Sequence, residues 1–510
     1  MYARVLSASL MGLHCERVYA EVNIELGMPV FSIVGLVNQA TKESKERMNA
    51  AIRNSGYSFP DRKVIANLTP AGLRKDGSHF DLPIAIAVLL ASEQIKPETD
   101  LDSTAFLGEL TLDGRIDPVI GALPMVIGMQ QCGIKRVVLP KANSQEAGLI
   151  EGIELYPIEN LKEAIDIVEG FSAVKPLIGT GSSISSAAAV PDFADIKGQA
   201  AVKRAAQLAA AGFHGMLLIG PPGVGKSMVG KRIPGIMPPM TYSQQLECTQ
   251  IYSIAGLLSE NRPLVSERPF RSPHHNMSAA AMVGGGTIPH PGEVSLAHNG
   301  VLFLDELPEF NSSVLETLRQ PMEDGRVTVV RSSWRCTYPS EFMLVAAMNP
   351  CRCGYYGDPV KQCSCSESDR KRYLGKVSGP MLDRIDLHVI ASRPVYSDLN
   401  LDSAETMGTE ELRRGVITAV GMQTERYKGS DVKNNAALSP AQIRKYCPLD
   451  RACEKLMKEA FQSLNMSARS YHRIIKVART AADVAGRENI AEEHILEALT
   501  YRLPEDFLRS

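Results

Sequence analysis

Hydrophobic and polar positions divide the chain into three textures. From residue 1 to about 170, apolar runs of strand length (Val18–Ile24, Phe31–Leu36, Val64–Leu68) alternate with helical periods at Lys42–Asn54 and Leu123–Cys132. Leu82–Ala91 is apolar apart from its opening proline and predicts a buried helix. Phe106–Leu110 and Arg136–Pro140 predict two more strands, the first leading to a turn at Asp113-Gly114. Gly179–Ala189 then reads Gly-Thr-Gly-Ser-Ser-Ile-Ser-Ser-Ala-Ala-Ala, the composition of a flexible linker. Beyond it, Asp195–Ala211 predicts an Ala-rich helix placed to pack beside an adenine ring. The wholly apolar runs Met216–Ile219, Val301–Leu304 and Phe342–Met348 predict buried strands. After residue 400 the texture turns helical, at Glu405–Lys428, Ser439–Tyr446, Asp450–Leu464, Ala468–Ala485 and Ala491–Thr500. The expected organisation is an α/β chain with a domain over 1–170, a linker over 171–191, an α/β core over 192–400 and a helical domain over 401–510.

Composition sharpens this only in places. The net charge of −2 carries no global basicity, so any nucleic-acid surface must be local. The start of the chain has no signal-peptide pattern and no apolar run reaches membrane-spanning length, so a soluble, cytoplasmic protein without membrane partners is expected. Ten cysteines in that setting read as thiols or metal ligands, not disulfides.

The chemistry gathers on the apolar run Met216–Ile219. It empties into Gly220-Pro221-Pro222-Gly223-Val224-Gly225-Lys226-Ser227, which is G-x-x-x-x-G-K-S between a strand and a helix. Glycines there let backbone N–H groups curl around a polyphosphate. Lys226 is expected to reach the β/γ-phosphates, Ser227 to ligate Mg²⁺, and the helix N-terminus to add a favourable dipole. ATP and Mg²⁺ are the expected cofactors. Val301–Leu304 ends in Asp305-Glu306, two carboxylates at the carboxyl end of a strand, where open α/β sheets bind ligands. Asp305 suits the Mg²⁺ shell and Glu306 the polarisation of an attacking water. Phe342–Met348 ends in Asn349, placed to orient that water. Arg384, in Ser378-Gly379-Pro380-Met381-Leu382-Asp383-Arg384, offers the cation that phosphoryl transfer needs, supplied in a ring to a neighbour's ATP.

Two further stretches carry less specific signals. Cys351-Arg352-Cys353 and Cys363-Ser364-Cys365 bracket a nine-residue loop and can close a tetrahedral Zn²⁺ site, or stand as four free thiols. Arg326–Arg335 predicts a two-stranded segment with Arg326, Arg331 and Arg335, no acid, and the only Trp of the chain, Trp334. Such a hairpin suits a pore loop on a nucleic-acid backbone, or an exposed hairpin whose Trp334 packs on a neighbouring subunit. His274 and His275 are adjacent and so diverge, which favours a structural or DNA-facing loop over a metal site.

The phosphate loop, Asp305-Glu306, Asn349 and Arg384, in that order, resemble an AAA+ ATPase. The stretch from Arg271-Ser272-Pro273-His274-His275 through Gly284-Gly285-Gly286, with the Asp324–Tyr338 hairpin, resembles the magnesium-chelatase and replicative-helicase branch. In the first 170 residues, Lys75–Leu82 and Gly108–Arg115, running on through Gly121–Pro124 to Gly133–Pro140, resemble the proteolytic domain of Lon-type proteases. That family's serine–lysine pair is not reproduced: Asp76-Gly77-Ser78-His79 is one residue out of register, and Pro124 stands where the lysine should follow. Ser78 is therefore expected to cap Leu82–Ala91 or a turn, in a degenerate protease fold used for assembly or nucleic-acid contact. Together these stretches resemble the ComM/YifB family of magnesium-chelatase-like proteins over almost the whole chain. The resemblance implies a homo-hexameric ATPase and DNA helicase that moves on single-stranded or branched DNA. It would promote branch migration when incoming DNA recombines during natural transformation, with recombination proteins as possible partners. It also implies that Arg469, in Ser467-Ala468-Arg469-Ser470-Tyr471-His472-Arg473, reaches a γ-phosphate, with Arg473 as second candidate. The alternative it carries is a chelatase-like remodelling or metal-insertion motor acting on a protein partner, whose metal-binding surface is not encoded here.

Overall fold

A computed structural model describes residues 1–35, 39–73, 75–179, 181, 191–259, 261–286, 289–331, 334–393 and 407–502; for 39–43, 331 and 334 it describes the backbone alone. The architecture is α/β: among the described residues there are an eight-stranded sheet, a five-stranded sheet, three two-stranded ladders and a helical carboxyl-terminal region.

The amino-terminal sheet is organised by alternation. From Val18 to Ile24 every second residue is buried, so one face of the strand His14–Glu25 enters a core. That strand pairs antiparallel with Tyr2–Met11, from Tyr2↔Asn23 to Met11↔His14, across a turn where Gly12 takes φ 65°. The eight strands run in the order Leu177–Ile178, Glu154–Ile158, Arg136–Pro140, Thr104–Phe106, Tyr2–Met11, His14–Glu25, Lys63–Thr69, Val30–Val34. The helix Asp81–Ala91 is buried over nearly its whole length, as its composition predicts. The strand expected over Phe106–Leu110 is broken. Thr104–Phe106 stays in the large sheet, and Glu109–Leu110 leaves it to pair with Ile116–Asp117. Gly108 sits at the break, where a Cβ would lie 2.8 Å from Ile116 Cγ2 and 3.2 Å from Leu82 Cδ2.

The central sheet is wholly parallel, ordered Phe270–Arg271, Val301–Leu304, Met343–Met348, Met216–Ile219, Leu387–Ile390. Its three inner strands, Val301–Leu304, Met343–Met348 and Met216–Ile219, are apolar throughout because both faces are covered. Met216, Leu218, Val301 and Phe303 face the helices Ala200–Gly212, Thr409–Arg426 and Ala468–Val484. Leu217, Ile219, Leu302 and Leu304 face the other way, toward Val327, Val329, Cys336 and Tyr338 of the hairpin Arg326–Pro339. All five strands end on the same edge, and the crevice outside that edge is where such sheets hold ligands.

The carboxyl-terminal helices are Thr409–Arg426, Pro440–Tyr446, Arg451–Ser463, Ala468–Val484 and Glu492–Thr500. Ser439, Asp450 and Ser467 cap three of them with side-chain acceptors. The first starts at Thr409, later than expected, because Gly408 is still extended (φ −90°, ψ 172°); residues 401–406 lie outside the described residues. Of the expected linker 171–191, residues 180 and 182–190 also lie outside the described residues, and Leu177–Ile178 joins the amino-terminal sheet. No helix among the described residues is long and apolar enough to cross a membrane. The amino-terminal and central parts meet through direct contacts. Tyr242 Oη donates to Leu149 O at 2.5 Å, Ser253 Oγ donates to Glu146 Oε2 at 2.8 Å, and the Gly12 turn rests on Cys336.

Candidate nucleotide site

The strand Met216–Ile219 delivers the chain to Gly220, which has no room for a side chain: a Cβ there would lie 2.3 Å from Ala391 O. Gly223 and Gly225 take φ 82° and 88°, with nothing within 4 Å of a would-be Cβ. The loop is thus held at its root and open at its crest, a backbone form that only glycine adopts at low cost. The helix Lys226–Ile236 follows at once.

Side chains from three neighbouring strand ends converge on this loop. Lys226 Nζ donates to Gly220 O at 2.7 Å, Pro221 O at 2.8 Å and Asn349 Oδ1 at 3.1 Å. Burial lowers the pKa of this amine, against the opposing pull of the Asp305 and Glu306 carboxylates. Ser227 Oγ donates to Asp305 Oδ2 at 2.6 Å, and Asp305 Oδ1 accepts from Glu306 N–H at 2.9 Å. Glu306 takes φ 52°, ψ 48°, a left-handed conformation that costs a non-glycine residue about 1 kcal/mol or more. Ser227 and Asp305 form the hard oxygen set that magnesium takes, and Lys226 with the open loop forms a cradle for polyphosphate. The structure therefore brings Lys226, Ser227, Asp305, Glu306 and Asn349 together. Gln199, in the segment expected beside adenine, adopts φ 59° and its Nε2 lies 3.5 Å from Val224 O, against the same loop.

Arg384 and Arg469 are elsewhere. Both bond Glu323 Oε1, from Arg384 Nη2 at 2.5 Å and Arg469 Nη2 at 2.7 Å. Together with Phe213, Gly215 and Phe342, they line a cavity of about 630 Å³. Those residues precede the strands, whereas the phosphate loop follows one, so the two sites lie at opposite ends of the sheet. Four residues at about 3.3 Å each separate them by at least roughly 13 Å. Arg469 thus does not reach the phosphate loop of its own chain. Arg473 is buried and donates from Nη1 to Ile385 O at 2.9 Å, which fixes its helix to the sheet.

The four cysteines assemble. Their sulfurs lie within 4.8 Å of one another, with Cys351–Cys353 at 3.4 Å and Cys363 at 3.6 Å from each of those two; Cys365 completes the group. Tetrahedral zinc with Zn–S near 2.3 Å holds sulfurs about 3.8 Å apart, so the donor set fits that ion. The loop also leans on the nucleotide site. A Cβ at Gly354 would lie 2.8 Å from Pro222 Cδ, and Arg393 Nε donates to Asp358 Oδ2 at 2.8 Å.

The hairpin pairs Arg326↔Pro339 through Arg331↔Trp334, with Arg326 and Arg335 exposed; the side chains of Arg331 and Trp334 lie outside the described residues. His275 is placed where sequence spacing gave no hint. Its Nδ1 lies 3.6 Å from Glu306 Oε2, and its ring lies 4.2 Å from His274 and edge-on to Phe310.

In the amino-terminal sheet, Ser78 does not cap the helix Asp81–Ala91, which has no side-chain cap. Its hydroxyl donates instead to Glu109 Oε2, a partner 31 residues away. Lys75 donates to Pro70 O, and Pro124 is buried inside the helix Ala122–Gln131. His79 is buried with Nε2 2.9 Å from Ala8 O, and desolvation pushes its pKa down to about 4. Among the described residues, no basic nitrogen is bonded to the Ser78 hydroxyl.

Comparison with known proteins agrees along the length. Residues 192–399 match magnesium chelatase, subunit ChlI; residues 20–143 match subunit ChlI of Mg-chelatase; residues 406–502 match its C-terminal family. The YifB protein of Salmonella typhimurium is 38% identical over 501 residues, covering 98% of this chain and 97% of YifB. Competence protein ComM of Haemophilus influenzae is 38% identical over 507 residues, covering 98% and 97%. The archaeal Lon protease of Thermococcus kodakarensis is 28% identical over 140 residues, 26% of this chain and 22% of that protease.

Proposed function

The chain belongs to the ComM/YifB family of magnesium-chelatase-like AAA+ ATPases with a Lon-protease-like amino-terminal domain, and from that premise we propose that it is an ATP-driven DNA motor. It assembles as a hexamer and promotes branch migration when incoming DNA recombines with a homologous duplex. The observation that carries the ATPase half is the convergence of Lys226, Ser227, Asp305, Glu306 and Asn349 at three adjacent strand ends. The DNA half is supported by the likeness to a competence protein and by the two exposed arginines, Arg326 and Arg335, on the hairpin.

In this reading the loop N–H groups and Lys226 bind the β- and γ-phosphates, and Lys226 exchanges its own-loop carbonyls for phosphate oxygens. Magnesium, when held by Ser227 and Asp305, neutralises phosphate charge that builds up during transfer. Glu306 accepts a proton from the attacking water while Asn349 orients it. Arg384 and Arg469, at the far end of the sheet, serve the ATP of the adjacent subunit. Cys351, Cys353, Cys363 and Cys365 would hold a structural zinc, which would stiffen the loop that follows Asn349. Residues 1–170 serve assembly or nucleic-acid contact, 192–400 hydrolyse ATP and 401–510 form the lid.

The test is strand exchange on forked and four-way DNA with ATP, beside Lys226→Ala. Salt-sensitive binding of branched DNA that raises ATP turnover and drives exchange, all lost in the variant except the binding, is the expected result. ATP turnover indifferent to every DNA tested would end the DNA reading and favour a motor acting on a protein partner.

A further inference from the structure

The cavity at the lower end of the central sheet contains a carboxylate in the place where an anion would be expected. One oxygen, Glu323 Oε1, accepts from both Arg384 Nη2 and Arg469 Nη2. The other cations on the rim are engaged otherwise: Lys433 with Glu341, Arg473 with Ile385 O, and Lys476 with Ala436 O. Arg384 is the best anchored of the pair. Its side chain is only 10% exposed and Nη1 donates to Pro380 O, yet its buried Nε–H has no partner. A guanidinium with a buried donor left unpartnered is set for an anion with more acceptor oxygens than a carboxylate supplies. Glu323 itself is 46% exposed, so solvent can take its carboxylate when it leaves.

From this geometry we infer that Glu323 is an internal stand-in for phosphate, holding Arg384 and Arg469 together in the free chain until the terminal phosphate of a second copy's ATP displaces it. The inference rests on the proposed reading that these two arginines act on an adjacent subunit. A terminal phosphate offers three oxygens and up to twice the charge of a carboxylate, so it satisfies both guanidinium groups and the spare Nε–H at once. Glu323 lies at the end of the helix Arg319–Asp324, and only Asp324 and Gly325 separate it from the hairpin strand that begins at Arg326. Release of the carboxylate therefore reaches the hairpin within three residues, and displacement of the hairpin reaches the carboxylate by the same path.

The full-length chain, Glu323→Gln, Arg384→Ala and the double variant are assayed for DNA-free ATP turnover over a range of protein concentrations, with binding of a fluorescent ATP analogue measured alongside. The exchange is nearly isosteric at a half-exposed position, so folding is retained, and Glu323→Asp, which keeps the charge, is the check on shape. The expected result is that Glu323→Gln raises DNA-free turnover about threefold or more, the size of effect a modest ion pair carries. Half-maximal turnover then comes at a lower protein concentration, Glu323→Asp stays near wild type, and analogue affinity is unchanged because the phosphate loop is at the other end of the sheet. The double variant should be as inactive as Arg384→Ala, since the carboxylate acts only through the arginines. Turnover of Glu323→Gln at or below wild type, with Arg384→Ala inactive, overturns the stand-in and leaves the two-subunit site intact. Full turnover by Arg384→Ala ends both.

Discussion

Gly225-Lys226-Ser227 and Asp76-Gly77-Ser78 each set a serine after a positive-φ glycine, and the two places differ in what the neighbouring strands bring to them. At Gly225-Lys226-Ser227 the glycine is open, the serine bonds a carboxylate from the next strand but one, and the lysine is held by carbonyls that phosphate can replace. At Asp76-Gly77-Ser78 the glycine is closed over by His79, the serine bonds Glu109, and the nearby lysine is spent on Pro70 O. Residue types are similar in the two places; what differs is whether neighbouring strands bring a complementary group to the right atom. A motif is chemistry only when the sheet order completes it.

The contrast is most easily broken at the nucleotide site. Lys226→Ala and Glu306→Gln should each lower ATP turnover by roughly a hundredfold or more, with thermal unfolding scarcely moved, because both residues face the loop and not the core. Turnover within a fewfold of wild type in either variant would remove the reason for contrasting the sites. Next in size, Cys351→Ser with Cys363→Ser should cut bound zinc, read by atomic emission, to below roughly a tenth of wild type, and destabilise the loop after Asn349. Equal zinc in variant and wild type would mean that the sulfurs gather for another reason. Gly77→Ala places a Cβ 2.6 Å from His79 Nδ1 at φ 115° and should cost about 2–3 kcal/mol in denaturant unfolding, with ATP turnover at low temperature retained.

Acid should act on both halves of the molecule alike. His79 in the amino-terminal part and His388 in the central sheet are pushed down by burial, to about 4 and about 3. An unfolded imidazole takes its proton near 6.5, so below that pH the unfolded chain binds more protons and stability falls until the folded-state values are reached. Each residue should remove about 2 kcal/mol at pH 5 relative to pH 7.5, and His79→Asn should flatten the dependence by about that amount. The smallest effect belongs to Ser78→Ala: about 1 kcal/mol or less, no change in ATP turnover and no peptidase activity to lose. Peptide cleavage abolished by this change would restore the amino-terminal part as an enzyme.

Much of the nucleotide site was legible because its parts are local. Strand, glycine loop and helix are contiguous at 216–236, and the two carboxylates and Asn349 each terminate an apolar run, so parallel strand order alone brings them together. The partners of Arg384 and Arg469 were not legible, since Glu323 lies 61 and 146 residues from them and nothing in its own neighbourhood marks it. His275 was weighed as a metal ligand or as a structural or DNA-facing loop residue, and not as a partner of Glu306, because that contact depends on how the segment after Phe270–Arg271 folds over the sheet edge. Ser78 was assigned a local cap because capping is a short-range habit, and a glutamate 31 residues away supplies a better acceptor. The break at Gly108 was hidden inside an apolar run, where composition is silent about crowding by Ile116 and Leu82.

The turn at Gly12 carries an implication for ancestry. A Cβ there would stand 3.3 Å from Cys336 Cβ, so the protease-like fold touches the ATPase hairpin through a point with no slack. A gene that exchanged its first domain for that of a distant relative would place a side chain or a shifted turn against that strand. The two parts are therefore expected to drift as one unit, and chimaeras joined in the 171–191 segment should tolerate a foreign partner only when the Gly12 turn travels with a matching residue at 336.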